Sequence, residues 1–414
     1  MTTFTRQIGL LTSDWHMMSH AWKGRPELCG DAECVLSQVV RTARNRNLPI
    51  VVAGDLFDSK RPSIEIMVAT QELICDVEGD YIMGNHEKTE TPWMKLVARH
   101  WNNLADQPVE RLPRDVPTQQ NSTTLPIRVL DPLFETGKPW HIYGLHYFHY
   151  VNRLAAELDL LGEEIDPDPA VARLLVLHQA SEALMPVGKC ELTDSMIPDC
   201  FDLVVVGDYH RPELFSLRSK SNRPIPCLSP GGLHLTSIRE EPEKKLYTLF
   251  ADGSIVMEPL VTRRVIEVDL CGMTESQVSD KAEQVHQAVL NIKKPRPAEI
   301  ARPIVIADTD TGTVSGAEQI VRKILGKNVH LFIRTEEGRK LEIDLNLIED
   351  IDMEEYAVTG YRFAKDVFYQ NEPNTEVQRI AETFLENPAS ASLYHAIKEE
   401  FLNRHHLGPV PQSL

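Results

Sequence analysis

Nine polar side chains, Asp14, His16, Asp55, Asn85, His86, His146, His178, Asp208 and His210, each sit just beyond a short apolar run. Carboxylates and imidazoles gathered at one sheet edge are the donor set of transition metals such as manganese, iron or zinc. Two divalent ions about 3.5–4 Å apart need a bridging carboxylate and further ligands for each. The expected division gives Asp14, His16, Asp55 and His210 to one ion, and Asp55, Asn85, His178 and Asp208 to the other. Such a pair makes hydroxide available at neutral pH and clamps a phosphoryl group for in-line attack. His86, adjacent to a ligand and itself free, is the expected general acid or charge-steadying group. Singly, these residues have ordinary uses: Gly54-Asp55 as a turn, Asp14 as a cap, His178 as a core imidazole. Their joint order, each piece behind an apolar strand, is what points to a metal-dependent phosphoesterase.

The elements that must position them are six short strands, expected at residues 8–11, 50–53, 81–83, 141–143, 174–177 and 203–206. Each ends in Asp, Asn or His. A continuous apolar run suits a strand buried on both faces, and the carboxyl ends of such strands are where open α/β sheets place their chemistry. Helices are expected near residues 32–46, with Val35, Val39, Val40 and Ala43 at helical spacing, and near 63–75. Residues 106–125, rich in Pro, Gln, Asn and Thr, have the composition of a long loop, and 226–238 shows little periodicity. Residues 245–250 and 255–260 around Ala251-Asp252-Gly253 form the pattern of a β-hairpin.

Three regions are expected. Residues 1–260 carry the candidate site. Residues 261–340 alternate strand, helix, strand, helix, strand as a small α+β unit. Residues 341–414 hold an acidic segment and two amphipathic helix patterns separated by Pro388.

The chain has 414 residues, 42% of them hydrophobic and 25% charged, enough apolar material for a large core. No stretch approaches the ~20 apolar residues of a membrane span. The N-terminus lacks a signal-peptide pattern, and the seven scattered cysteines form no CxxC pair, so a cytoplasmic protein with reduced thiols is expected. The net charge of −18 lowers the expectation of nucleic-acid binding, although a basic or metal-bearing cleft can sit on an acidic body.

Asp14-Trp15-His16, Gly54-Asp55-Leu56-Phe57-Asp58, Gly84-Asn85-His86-Glu87, His178 and Gly207-Asp208-Tyr209-His210 resemble the calcineurin-like metallophosphoesterase pattern. The run from Asp55 to Ser63, the HIYGLHY stretch and the succession from Gly207 to Gly232 resemble more narrowly the SbcD-like subunits of double-strand-break-repair nucleases, bacterial or phage. That resemblance implies a β-sandwich flanked by helices, a small capping domain and a helical tail. It implies a manganese-dependent exonuclease or endonuclease on DNA ends, with magnesium as a second option. Implied partners are DNA, an SbcC-like coiled-coil ATPase that the tail engages, and a second copy of the chain. Lys60, Arg61 and Arg211 are the expected DNA contacts, with Arg218, Lys220, Arg223, Lys293, Lys294 and Arg296 as further basic residues. Where the family usually reads GHxH, this chain has Asp208, a carboxylate for a neutral imidazole. The competing readings are a phosphatase or cyclic-nucleotide phosphodiesterase with the same metal core, and a catalytically silent scaffold for DNA ends.

Overall fold

The computed structural model describes residues 6–18, 28–87, 93–105, 138–165, 168–185, 190–237, 240–292 and 300–335, with the backbone of 109–111. The expected tail helices, the basic 293–297 link and most of the 106–125 stretch lie outside the described residues. In chain order the elements are β1 (Gln7–Thr12), α1 (Asp31–Arg46), β2 (Ile50–Ala53), α2 (Ile64–Ile74), β3 (Gly79–Ile82), α3 (Trp93–Val97), β4 (Asn102–Asn103) and β5 (Val109–Arg111). There follow β6 (Trp140–Gly144), α4 (Val151–Glu164), β7 (Ala172–His178), β8 (Leu203–Gly207), β9 (Glu213–Arg218), β10 (Pro224–Ser229), β11 (Lys245–Phe250) and β12 (Ile255–Pro259). The last are β13 (Val265–Asp269), α5 (Glu275–Leu290), β14 (Ile304–Thr309), α6 (Ala317–Leu325) and β15 (His330–Thr335).

Two six-stranded sheets form, in the orders β12-β11-β1-β2-β3-β4 and β5-β6-β7-β8-β10-β9. The inner neighbours run parallel in both, β1 through β4 in one and β6, β7, β8 and β10 in the other. The side-chain period of two sorts each strand between two cores. On β2, Ile50 and Val52 join a cluster with Val35, Val39 and Ile66 of α1 and α2, while Val51 and Ala53 face Leu174, Val176 and Val205 of the other sheet. On β7, Leu175 and Leu177 pack with Leu154 and Leu158 of α4. The result is helix, sheet, sheet, helix, which explains why these strands are apolar throughout rather than alternating. Each fully buried aliphatic side chain contributes about 1.5–3 kcal/mol as an upper figure.

Helix α1 suits its dipole, with Asp31 and Glu33 in the first turn and Arg44 and Arg46 in the last. It stops at Asn47, whose left-handed backbone returns its N–H to Ala43 and Arg44. Helix α4, which the sequence pattern does not announce, covers the outer face of the second sheet.

One expectation needs correcting. The 226–238 stretch is not wholly irregular: β10 begins at Pro224 and pairs with β9 from Pro224 to Ser229. Its prolines are tolerated because pairing with β8 starts only at Cys227, beyond Pro226. The hairpin of β11 and β12 is as expected, and β11 pairs antiparallel with β1, which puts this late hairpin in the first sheet.

By its backbone contacts the chain divides into two compact units. The first lies within Met1–Val268, Glu275–Ile306 and Gly316–Phe332, and contains the sandwich. In it the buried Arg263 bonds both carboxylate oxygens of Asp31, at 3.0 and 2.6 Å, and the carbonyl of Arg302 at 2.9 Å. The described parts of the second are Asp269–Thr274, Ala307–Ser315 and residues 333–335. There Asp310 accepts from the backbone of Gly272 and Gly312, and Arg334 pairs with Asp308 at 2.5 and 2.8 Å. Strands β13, β14 and β15 form a three-stranded sheet in that order, interleaved with α5 and α6.

Candidate metal centre

The carboxyl ends of β1, β2 and β3 in one sheet and of β7 and β8 in the other open on the same site. The turn after β1 is strapped to the turn after β2: Asp14 N–H donates to Gly54 O at 3.1 Å, and His16 N–H to Asp55 O at 2.9 Å. From the second sheet, Asp208 N–H donates to Asp14 Oδ1 at 3.1 Å. The Gly-rich segment after β10 closes the ring, with Gly232 N–H on His210 O and Leu233 N–H on Asp14 O.

Asp55 stands at the centre. Its Oδ2 lies 3.3 Å from His178 Nε2, 3.7 Å from His16 Nε2 and 4.0 Å from His86 Nε2. Burial pushes its carboxyl up, yet the three imidazoles outweigh that and hold it well below the usual carboxylate range. His178 Nδ1 donates to Ala53 O at 2.7 Å, which turns Nε2 toward Asn85 Oδ1, 3.1 Å away, and Asp208 Oδ1, 3.8 Å away. Two glycines permit this packing. A Cβ on Gly54, whose φ is 85°, or on Gly207 would collide with the ring of His178.

On the other flank, Nε2 of His16 and Nε2 of His210 face each other at 2.9 Å. Asp14 Oδ1 is 3.9 Å from the first and 3.7 Å from the second. Burial lowers the affinity of His16 for a proton. His210 also loses affinity through burial, but the Glu240 carboxylate 3.1 Å from Nδ1 reverses this and lifts it to about 9. Two Nε2 atoms at this distance require a proton or a cation between them. A divalent ion suits the place of that proton.

Among the described residues, three groups of side chains converge closely enough to hold an ion: Asp14, His16 and His210; His16, Asp55 and His86; and Asp14, Asp55 and His178. Asp14 Oδ2 is buried without a hydrogen-bond partner. A buried carboxylate oxygen without a donor, among imidazoles that turn Nε2 inward, fits a divalent cation. Asn85 and Asp208 flank the third group through their contacts with His178. Asp208 is itself raised by burial and by the charges of Asp14 and Asp55.

Four of these residues hold left-handed backbone: Asp14 (φ 48°), His16 (41°), Asp55 (52°) and Asp208 (77°). Such a conformation costs a side-chain-bearing residue roughly 1–2 kcal/mol. The strain is concentrated where the chain must turn a ligand inward just past a strand end.

His86 is half-buried. Its Nδ1 donates to Asp58 O at 2.7 Å, and its N–H binds Asp55 Oδ1 at 3.1 Å. His146 is a strand-end histidine turned to support: its Nδ1 accepts from Met83 N–H at 2.8 Å, and Nε2 meets Asn103. Lys60 and Arg61 lie in the exposed turn after β2, and Arg211 is exposed beside His210, 3.8 Å from Glu241. Arg218 bonds Asn222, Lys220 pairs with Asp159, and Arg223 bonds the carbonyls of Asp199 and Phe201, so these three serve the fold.

Three contributors carry no role in the sequence pattern. Asp58 Oδ1 sits 3.5 Å from His16 Nδ1. Glu87 is buried, accepts from the backbone N–H groups of Phe57 and Gly84, and is pushed up to about 8 by burial and by Asp55. Both lie within the quoted motifs. Glu240 lies in an ordinary-looking charged run, and no spacing signal marks it.

No family model matches the chain. It is similar to two known proteins. One is the SbcD component of the SbcCD nuclease of Staphylococcus saprophyticus, 24% identical over 71% of this chain and 80% of that protein. The other is the DNA double-strand break repair protein Mre11 of Methanosarcina acetivorans, 26% identical over 84% of this chain. The match spans 62% of the archaeal protein's length. The two-sheet sandwich is of the metallophosphoesterase type, and the resemblance to SbcD- and Mre11-like nucleases holds over most of the chain.

Proposed function

We propose that this chain is a nuclease subunit of the SbcD and Mre11 kind, which hydrolyses phosphodiester bonds at DNA ends with two divalent metal ions. The observation that carries the reading is the convergence of Asp14, His16, Asp55, His178 and His210 from both sheets, with Asp14 Oδ2 buried and without a hydrogen-bond partner. Asp14, His16, Asp55 and His210 would hold one ion; Asp55, Asn85, His178 and Asp208 the other. When bound, such ions supply hydroxide at neutral pH and neutralise phosphoryl charge. Manganese is the proposed metal, with magnesium the harder alternative.

The remaining work falls to the chain. Burial of Asp14, Asp55 and His178 excludes water from the ligand side. His86, fixed through Nδ1 by Asp58 O, directs Nε2 to the site and in its protonated form delivers a proton to the departing DNA oxygen. Lys60, Arg61 and Arg211 are proposed to meet the DNA backbone. In a repair, recombination or phage DNA-processing setting within the cytoplasm, an SbcC-like ATPase supplies further grip that offsets the net charge of −18. No helix among the described residues is long and apolar enough to cross a membrane. A second copy of the chain is part of this proposed assembly.

The purified chain is tested on end-labelled double-stranded DNA and on a generic phosphodiester, with and without manganese. Metal-dependent cleavage of the DNA is expected. Cleavage of the small ester alone overturns the nuclease reading, and light scattering reads the dimer independently.

A further inference from the structure

We infer that Glu240 is a positioning residue of the candidate metal centre, which fixes through His210 which nitrogen faces the ion. The inference rests on the metal-centre reading above. Glu240 lies outside every strand-end motif, in the segment that leads from the Gly-rich loop to β11. Its Oε1 is 3.1 Å from His210 Nδ1. A carboxylate oxygen only accepts, so Nδ1 must carry the hydrogen and Nε2 is the atom left for a ligand role. Nε2 is the atom that faces Asp14 and His16.

Glu240 is in turn held from three sides. Thr236 gives it both its backbone N–H, at 3.2 Å, and its hydroxyl, and Lys244 Nζ donates to Oε2 at 2.6 Å. Lys244 is buried to 1% exposure and sits shortly before β11. A buried ammonium at this position has one evident use, to neutralise Glu240 so that the carboxylate orients His210 without adding net negative charge to the centre. The four groups form a chain from Lys244 through Glu240 to His210, with Thr236 fixing the carboxylate plane.

The alternative is that Glu240 exists for Lys244 alone, as a buried ion pair that shapes the turn into β11. The two roles separate in metal affinity. Manganese binding to the metal-free full chain is followed by titration calorimetry in wild type, Glu240→Gln, Glu240→Ala and the apolar double variant Glu240→Leu with Lys244→Met. Loss of such an outer partner weakens metal binding about 10–100-fold. That loss is expected in Glu240→Ala and in the double variant, which removes both buried charges together and so keeps the fold measurable if Glu240→Ala does not. Glu240→Gln keeps an oxygen acceptor for Nδ1–H and is expected to restore most of the affinity. Wild-type affinity in a folded double variant overturns the positioning role and leaves the metal centre standing. Absence of manganese binding in wild type overturns both.

Discussion

His16 and His210 point their Nε2 atoms at each other across 2.9 Å, one from each sheet of the sandwich. Two imidazole lone pairs tolerate that approach only with a proton or a metal ion between them. Manganese should therefore raise the melting temperature of the metal-free protein, by the equivalent of about 2.7 kcal/mol at a hundredfold excess over Kd. In His210→Ala most of that rise should vanish. An equal rise in the variant would place the bound metal elsewhere.

His86 hangs from Asp58 O by Nδ1, and its Nε2 stands 4.0 Å from Oδ2 of Asp55, the proposed bridging carboxylate. His86→Asn should lower the cleavage rate about 10²–10⁴-fold while manganese affinity stays near wild type. Single-turnover cleavage beside calorimetry separates the two. A parallel loss of affinity would make His86 a ligand, as its convergence with His16 and Asp55 allows.

Asp208 combines left-handed backbone with a carboxylate pressed by Asp14 and Asp55. Asp208→Asn removes a like charge and keeps a residue that tolerates this backbone. The metal-free variant should be more stable than wild type by about 1 kcal/mol in urea unfolding. With saturating manganese the order should reverse, because the ion uses the charge. Asp208→His should shift the metal preference away from hard ions such as magnesium.

Gly207 touches the His178 ring so closely that a methyl group would also strike Ala53 O. Gly207→Ala should destabilise the protein by about 1–3 kcal/mol through overpacking, and should weaken metal binding by turning His178 away. Thermal unfolding and manganese titration on one preparation test both. Unchanged binding would show that the His178 ring can move without cost.

The strand edges were legible because a buried parallel strand must be apolar on both faces, and the chain breaks abruptly into Gly-Asp, Gly-Asn or His where burial ends. Ile50–Ala53 followed by Gly54-Asp55 is the plainest case. Strand β10 was less legible because Pro224 and Pro226 read as irregular chain, and only the pairing order shows that they lie ahead of the β8 ladder. Histidines at strand ends look alike in sequence. His178 faces the centre, whereas His146 spends both ring nitrogens on Met83 and Asn103, a difference that arises from packing across the chain. Glu240 carries no local signal, since the histidine it orients lies thirty residues upstream and its other partners, Thr236 and Lys244, are ordinary polar neighbours in sequence.

The centre draws on both halves of the sandwich: Asp14, His16 and Asp55 from one sheet, His178, Asp208 and His210 from the other. The hydrogen bond from His178 to Ala53 already spans 125 positions of chain. An ion held by Asp55 and His178 would close a loop of similar length, as a cross-link does. By loop-closure entropy, a permanent link over about a hundred residues restricts the unfolded chain by about 4–5 kcal/mol. An ion that lets go on unfolding imposes no such restriction, and instead adds its binding energy to the docking of the two sheets. Loading with metal should then make the two sheets melt as one, and a chelator should uncouple them.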